Sequence, residues 1–132
     1  MIGAGVRLYQ IYKVSDPTKA ASYLTRAKAI AAMALDHYAQ VGYVTQDPAF
    51  NAIFFRNLLL LTSEDATALN ATLAALQGYV DQAWANNRDA NNLYYFPVGD
   101  SSASSLDQGA LVEMNACLAW VPSVNGSYDL LV

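Results

Sequence analysis

The sequence holds few of the residues from which a covalent or metal-dependent active site is built. It contains one cysteine, Cys117, and one histidine, His37, which provide neither an intrachain disulfide nor a Cys/His zinc site. The apolar neighbours of Cys117 predict a buried thiol rather than a nucleophile, and we expect His37 at the surface or between helices. No glycine-rich phosphate loop and no Ser/His/Asp arrangement can be assembled. We therefore expect no metal and no cofactor.

Charged residues are also scarce. They make up 14% of the chain and give a net charge of −4. Because no basic stripe is present to neutralise phosphates, this composition argues against a nucleic-acid partner, although it is compatible with a neutral polysaccharide. The unbroken apolar runs, such as residues 58–61, are all far too short to cross a bilayer, and no charged secretory leader opens the chain. We expect a soluble protein, and the sequence as written indicates no compartment.

The abundant residues favour an all-α fold. Hydrophobic residues make up 55% of the chain, which is enough to fill a core. Alanine and leucine dominate and β-branched residues are sparse, so helices are favoured over strands. The 132 residues suit one domain, and we assign residues 1–132 to it.

Helix start and stop signals divide the chain into five helical segments. The first spans about residues 2–14 and has no polar cap before it, which is typical of a truncated domain. Asp16 followed by proline begins the second helix, which Gly42 ends. Asp47 followed by proline repeats this start signal for the third helix, about one helical hairpin further along the chain.

The last three helices differ in their apolar patterns. The third, AFNAIFFRNLLLL, is apolar nearly all round and is therefore expected to be buried. Thr62 and Asp65 fit a capping box for the fourth helix, and Ser104 and Asp107 fit one for the fifth, whose apolar stripe begins at Leu106. Because amphipathic and all-apolar helices alternate, we expect stacked helical hairpins with outer and inner layers.

Three stretches in order carry a family resemblance. They are IGAGVRLYQIYKVSDPTKAASYLTRAKAIA, AFNAIFFRNLLLL and LDQGALVEMNACLAW. The first resembles the segment that follows a Tyr-Asn-Gln-Gly motif in the endo-α-1,6-mannanases, glycoside hydrolase family 76. The second resembles the Phe-Lys-Gly-Ile-Phe-x-Arg-x-Leu helix of that family, and the third resembles its last inner helix. The similarity covers about residues 2–121. The chain departs from the family pattern at Asn51 and Ala52, where lysine and glycine are usual, and at residues 94–96, where a tryptophan is more usual.

The resemblance implies a toroid of six helical hairpins, of which this chain would form the C-terminal part. It implies retaining hydrolysis by an adjacent Asp-Asp pair in the N-terminal half, which this sequence does not contain. A domain without that pair is expected to be inactive alone. The implied ligand is a mannan-type oligosaccharide, and the family is mostly secreted or attached to the cell envelope. The residues that we assign to substrate binding are Phe50, Arg56, Tyr94, Tyr95 and Gln108.

The carboxylates offer one weak catalytic candidate. Glycoside hydrolysis needs two carboxylates across one bond. The adjacent acids Glu64 and Asp65 fall in the first turn of a helix, where they are expected to satisfy unpaired amides. Glu113 lies nearly on the side of Leu106, and partial burial would raise its pKa, as acid catalysis requires. A carboxylate at the rim of the barrel is the simpler interpretation of Glu113.

Arg56 and the aromatic loop residues each allow two roles. Arg56 is the only charge on the apolar third helix, so it must reach solvent, meet a ligand or pair with a carboxylate such as Asp107 or Glu113. In the loop at residues 86–102, Tyr94 and Tyr95 could stack on sugars or could pack the loop onto the helices. For Arg56 the sequence favours the structural ion pair, and for Tyr94 and Tyr95 it leaves both roles open.

Other functions remain as alternatives to an incomplete glycosidase. The chain could be a non-catalytic carbohydrate-binding module, a helical-repeat interaction module or a different α/α-toroid enzyme. It lacks the Trp, Gly and Tyr spacing of a tetratricopeptide array. A partial toroid leaves apolar helix faces uncovered, so we expect a homo-oligomer, most simply a two-fold dimer.

Overall fold

The protein is all-α over the residues described by its computed structural model, which are 1–43, 46–98 and 102–119. The helices are α1 (Ile2–Tyr12), α2 (Pro17–Val41), α3 (Pro48–Thr62), α4 (Leu69–Asn86) and α5 (Ser105–Ala119). A 3₁₀ turn, Ala66–Ala68, precedes α4. Extended pairing within the described ranges is limited to an isolated bridge between Arg88 and Tyr94. The expected all-α class is confirmed. The expected stop of α5 at Pro122 lies outside the described residues.

The start signals of α2 and α3 act as predicted. The Asp16 carboxylate accepts a hydrogen bond from the Lys19 amide at 3.0 Å, and that of Asp47 accepts one from the Ala49 amide at 2.8 Å. In both helices the following proline occupies the first turn, where its missing N–H leaves no hydrogen bond unmade. Gly42 ends α2 with a positive φ of 81°, a conformation that glycine adopts without steric cost.

The predicted capping box for α4 is wrong. Thr62 is still part of α3, and its hydroxyl donates to the Leu59 carbonyl oxygen at 2.7 Å within that helix. Asp65 caps the 3₁₀ turn instead, because its carboxylate accepts from the Thr67 amide at 3.3 Å. Because Thr62 is the last residue of α3, its side chain does not lie next to the first amides of α4. The regular part of α4 therefore starts only at Leu69.

Helix α3 is the common packing partner of the other helices. It contacts α1, α2, α4 and α5, while α1 also packs on α2, and α4 on α5 and α2. These contacts arrange α1, α3 and α5 in one row and α2 and α4 in a second row.

Two glycines allow α1 to approach its neighbours closely. A Cβ atom at Gly3 would lie 1.9 Å from Oδ1 of Asn57 on α3. A Cβ atom at Gly5 would lie 3.0 Å from the Cβ of Ala27 on α2. The absence of a side chain at Gly5 therefore sets the distance between α1 and α2, whereas at Gly3 the end of the Asn57 side chain can move aside.

The core is centred on the inner face of α3. Phe55, Leu58 and Leu61 are almost completely buried, and residues of every other helix pack against them. Phe55 also belongs to an aromatic cluster with Tyr43 and Tyr79, at ring-centroid distances of 5.1 and 6.1 Å. Removal of this apolar surface from water is the main favourable contribution to folding.

Burial of α3 is incomplete, contrary to the expectation from its composition. The side chains of Phe50 and Ile53 are 63% and 46% exposed. They lie three residues apart, and thus on one side of the helix, and that side is not covered by another described helix. On α5, Leu106 is 63% exposed and does not join the buried stripe, while Cys117 is only half-buried. Apolar composition therefore predicted the helices correctly but not which sides are covered.

No helix among the described residues combines the length and the apolar character that a membrane-spanning helix requires.

His37 is exposed, as expected.

We predict that two phenylalanines of α3 differ strongly in their contribution to stability. Phe55→Ala should lower the free energy of unfolding by about 3–5 kcal/mol, because it leaves a cavity in the core. Phe50→Ala, the matched control on the exposed side, should change it by less than about 0.5 kcal/mol. Urea unfolding followed by circular dichroism measures both. Equal losses would show that α3 is packed on both sides.

Candidate functional site

The structure divides the predicted site residues between two places. Phe50 and Arg56 lie on α3, and Glu113 lies beside Arg56 on α5. Tyr94 and Tyr95 belong to the loop after α4, where Gln108 of α5 holds the main chain. The two places have different chemistry.

The first place is an open surface that we call the α3–α5 face, formed by Phe50, Ile53, Arg56 and Glu113. Arg56 Nη1 lies 3.3 Å from Glu113 Oε1, and the two side chains are 50% and 38% exposed. The expected ion pair between Arg56 and a carboxylate of α5 is thereby confirmed. Because the pair is open to solvent, it contributes little to stability, and both groups can exchange their hydrogen bonds with a ligand.

The described partner of the Glu113 carboxylate is the guanidinium of Arg56. Burial, followed by the negative charge of Glu113, raises the pKa of the neighbouring Cys117 thiol. That thiol is therefore protonated at neutral pH and is a poor nucleophile.

The second place is the loop after α4, which is packed onto α5 by a carboxamide clamp. Gln108 Oε1 accepts from the Tyr94 amide at 3.0 Å, and its Nε2 donates to the Tyr94 carbonyl oxygen at 2.6 Å. The Tyr94 ring is buried, so it offers no open face for sugar stacking. Tyr95 is half-buried, and its hydroxyl donates to Asp89 at 3.4 Å. The loop thus follows the packing alternative, and Gln108 is engaged by main-chain groups.

An exposed tryptophan next to this loop was missed by the sequence analysis as a possible contact. The guanidinium carbon of Arg88 lies 3.5 Å from the ring centroid of Trp84 on α4, and the indole is 52% exposed. A cation–π contact of this kind orients both groups. The available signal was the spacing of four residues between Trp84 and Arg88, although Arg88 lies just beyond the end of α4.

The adjacent acids Glu64 and Asp65 serve the junction between α3 and α4. Glu64 accepts from Gln10 at 2.8 Å and lies 3.8 Å from Lys13 Nζ. Asp65 pairs with Lys28 at 2.9 Å. The hydrogen bond from the Thr67 hydroxyl and then that from Lys28 lower the pKa of Asp65. Both acids thus connect the turn to α1 and α2, in agreement with a structural rather than a catalytic role.

A groove between α2 and α4 contains none of the predicted site residues. Its volume is ≈ 490 Å³, and Tyr38, Tyr43 and Asp36 line one side. The other side is formed by small residues of α4, namely Ala71, Ala74, Ala75 and Gly78. Their spacing on one helix side was the sequence signal for this groove.

A buried polar network shapes one end of the groove. Asn51 is fully buried, and its Nδ2 donates to the Tyr43 carbonyl oxygen at 2.8 Å while its Oδ1 accepts from Gln46 at 3.0 Å. The Tyr38 hydroxyl donates to Gln46 in turn. Burial raises the pKa of Tyr79, which lies beside this network, to about 12. Asn51 is thus occupied by the chain itself, at a position where the resembled family usually has lysine.

Neither a metal site nor a similarity to known proteins assigns a function to these surfaces. Within the described ranges, no group of three or more His, Cys, Asp or Glu side chains is placed to hold a metal ion. Comparisons of the chain with protein-family models, curated proteins and solved structures gave no match. The site must therefore be interpreted from its own geometry.

We predict that Gln108→Leu releases the loop after α4. The substitution removes both hydrogen bonds to Tyr94 and leaves two main-chain groups without partners, so it should cost about 1–3 kcal/mol of stability. It should also accelerate exchange of the Tyr94 amide hydrogen, which NMR measures. Asn115→Leu, an exposed control on the same helix, should leave this exchange rate unchanged. An unchanged rate in Gln108→Leu would contradict the proposed clamp.

The pKa of Asp65 predicts a pH dependence of stability. The pKa of Asp65 is lower in the folded than in the unfolded state. Its contribution to the free energy of unfolding is therefore fully present above the unfolded-state pKa and is lost as the pH falls through the folded-state pKa. Asp65→Asn should therefore be less stable than the wild type at pH 7, and the difference should disappear as the pH falls below the ordinary value of 3.8. Urea unfolding over a pH series measures this. A difference that is independent of pH would contradict it.

Proposed function

We propose that the chain is the C-terminal part of an α-1,6-mannanase-like glycoside hydrolase domain that binds a mannan-type oligosaccharide and does not hydrolyse it alone. The observation that carries this proposal is the α3–α5 face. There an exposed aromatic ring, an open cation and an open carboxylate lie on two helices that each contain a stretch resembling the mannanase family.

The helix arrangement supports a piece of a toroid. In an α/α toroid, successive helical hairpins place one helix of each pair inside and the other outside. The contacts of α3 with α1 and α5, and of α2 with α4, are those expected of adjacent hairpins. The exposed side of α3 would then face the centre of the ring, where the ligand cleft of such a fold lies.

The use of the carboxylates supports an inactive domain. Retaining hydrolysis requires two carboxyl groups about 5–5.5 Å apart. Glu64 and Asp65 are engaged with lysines at the α3–α4 junction, and Glu113 is engaged with Arg56. Asp89 accepts from the amides of its own loop at 2.8 and 2.9 Å. Each of these acids therefore has a structural partner rather than a second acid.

The polarity of the α3–α5 face suits a neutral sugar. Phe50 offers an aromatic surface for the C–H groups of a pyranose ring. Arg56 and Glu113 provide donors and acceptors for hydroxyl groups. Because their opposite charges balance, the face does not favour a charged polymer.

We predict that the purified chain does not release reducing ends from α-1,6-mannan. A reducing-sugar assay with a complete mannanase as positive control tests this prediction. Turnover by the chain that is lost in Glu113→Gln would overturn the proposed absence of hydrolysis.

We predict that α-1,6-mannooligosaccharides bind at the α3–α5 face. Titration calorimetry should detect binding at millimolar ligand, and Phe50→Ala should weaken it by roughly tenfold, equivalent to about 1.4 kcal/mol. Met33→Ala, an exposed apolar residue on α2, is the matched control and should bind as the wild type does. No heat at millimolar ligand, or equal affinity of the Phe50→Ala variant, would remove the sugar-binding proposal.

A helical-repeat interaction module is the second candidate. The groove between α2 and α4 favours it, because a side made of alanine and glycine admits the close approach of another helix. Gly78→Leu would fill this groove without affecting sugar binding at the α3–α5 face. The titration described above therefore separates the two candidates.

A further inference from the structure

The groove between α2 and α4 has the size of a small-molecule site. Its volume of ≈ 490 Å³ falls within the range of about 300–1,000 Å³ that is typical of such sites. The small residues of α4 leave this space open, since a Cβ atom added at Gly78 would meet no other atom within 4 Å. The groove is thus an open volume between two helices that the neighbouring side chains do not fill.

Two tyrosines at the end of α2 form an aromatic wall of the groove. The ring of Tyr38 stacks on that of Tyr43, with centroids 5.1 Å apart and planes at 22°. The Tyr38 hydroxyl donates a hydrogen bond to Gln46. Asn51 Nδ2 donates to the Tyr43 carbonyl oxygen at 2.8 Å. Because these hydrogen bonds already hold the wall in place, a ligand that binds to it has little left to order.

The charge of the groove comes from one carboxylate, that of Asp36. Asp36 is exposed on α2, and the described residues that line the groove include no cation. It is also the one described acid that makes no hydrogen bond and no ion pair. The other described acids each have a partner, and they are Asp16, Asp47, Glu64, Asp65, Asp81, Asp89, Asp107 and Glu113. Asp36 therefore brings an uncompensated negative charge to the rim of an aromatic groove.

Aromatic rings beside a carboxylate are suited to an organic cation. The electron-rich face of a ring attracts an ammonium group, and the carboxylate adds Coulomb attraction. The small and apolar residues of the lining suit an apolar body attached to that group. A polyhydroxylated sugar fits less well, because the lining side chains that can form hydrogen bonds, apart from the tyrosines, are Asp36 and Gln82. An anionic ligand would be repelled by Asp36.

We propose that the groove between α2 and α4 binds a small organic cation, in which an ammonium group is attached to an apolar or aromatic body. The ammonium group contacts the Asp36 carboxylate and the Tyr38 ring, and the body lies along Ala75 and Gly78. This proposal does not rest on sugar binding, because no residue of the α3–α5 face lines the groove. A helix docked in the same groove would exclude the cation.

The test uses three ligands of similar shape and different charge. They are phenethylammonium, the neutral phenethyl alcohol and the anion hydrocinnamate, and each is titrated into the full chain at neutral pH. Two-dimensional NMR follows the amides of Tyr43, Ala75 and Gly78, which line the groove. Titration calorimetry gives the dissociation constants.

Two pairs of variants locate the site. Asp36→Asn removes the charge of the groove, and Asp81→Asn, which changes an exposed acid of α4 outside the groove, is its control. Gly78→Leu fills the groove. Its control is Gly109→Leu on α5, since a Cβ atom there would also meet no other atom within 4 Å. All four positions are exposed, so circular dichroism should show native helix content in every variant.

The expected results are specific to a cation site. Phenethylammonium should bind at millimolar concentration, roughly tenfold more tightly than phenethyl alcohol, and hydrocinnamate should not bind. Asp36→Asn should weaken binding of the cation about fivefold, and Gly78→Leu should abolish it, while both controls bind as the wild type does.

Three outcomes would overturn the proposal. The first is equal affinity for the ammonium and the alcohol, as expected of a groove that only receives an apolar helix. The second is unchanged binding of phenethylammonium by Asp36→Asn or by Gly78→Leu. The third is the absence of any shift of the groove amides at millimolar phenethylammonium.

Discussion

The structure depends on the burial of one helix by all the others. Helix α3 contacts α1, α2, α4 and α5, and its residues Phe55, Leu58 and Leu61 are removed from water by this arrangement. Helix α3 is not expected to be stable without the helices that pack on it, because isolated helices of this length are only marginally stable in water. The close contact at Gly5 then sets the distance between α1 and α2, and the ion pair between Asp65 and Lys28 joins α2 to the turn after α3.

Incomplete coverage of the same helix determines which surfaces are open for binding. The side of α3 that bears Phe50 and Ile53 has no described helix over it, so these side chains are exposed. The exposed Arg56–Glu113 ion pair belongs to the same face. The chain also leaves apolar residues open on α1, α2 and α5. A fold made of stacked hairpins has this property generally, since each hairpin is completed by the next one. The proposed sugar contact uses one of these open surfaces, the α3–α5 face.

The sequence predicted the parts of the fold that local chemistry determines. Asp16 and Asp47, each followed by proline, identified the starts of two helices because capping depends on neighbouring residues alone. The ion pair of Arg56 with an α5 acid followed from one charge on an apolar helix. Exposure of Phe50 and Leu106 could not be predicted, because it depends on which helices are neighbours. The role of Gln108 was missed for the same reason, since it pairs with a loop 14 residues away.

Native-state hydrogen exchange measured by NMR tests the central claim, that α3 holds the other helices together, most directly. The account predicts that the amides of Phe55, Leu58 and Leu59 exchange only through global unfolding, with the highest opening free energies in the chain. Amides of α1 and of the loop after α4 should exchange through smaller openings. The account would be contradicted if amides in the middle of α3 exchanged as readily as those of α1.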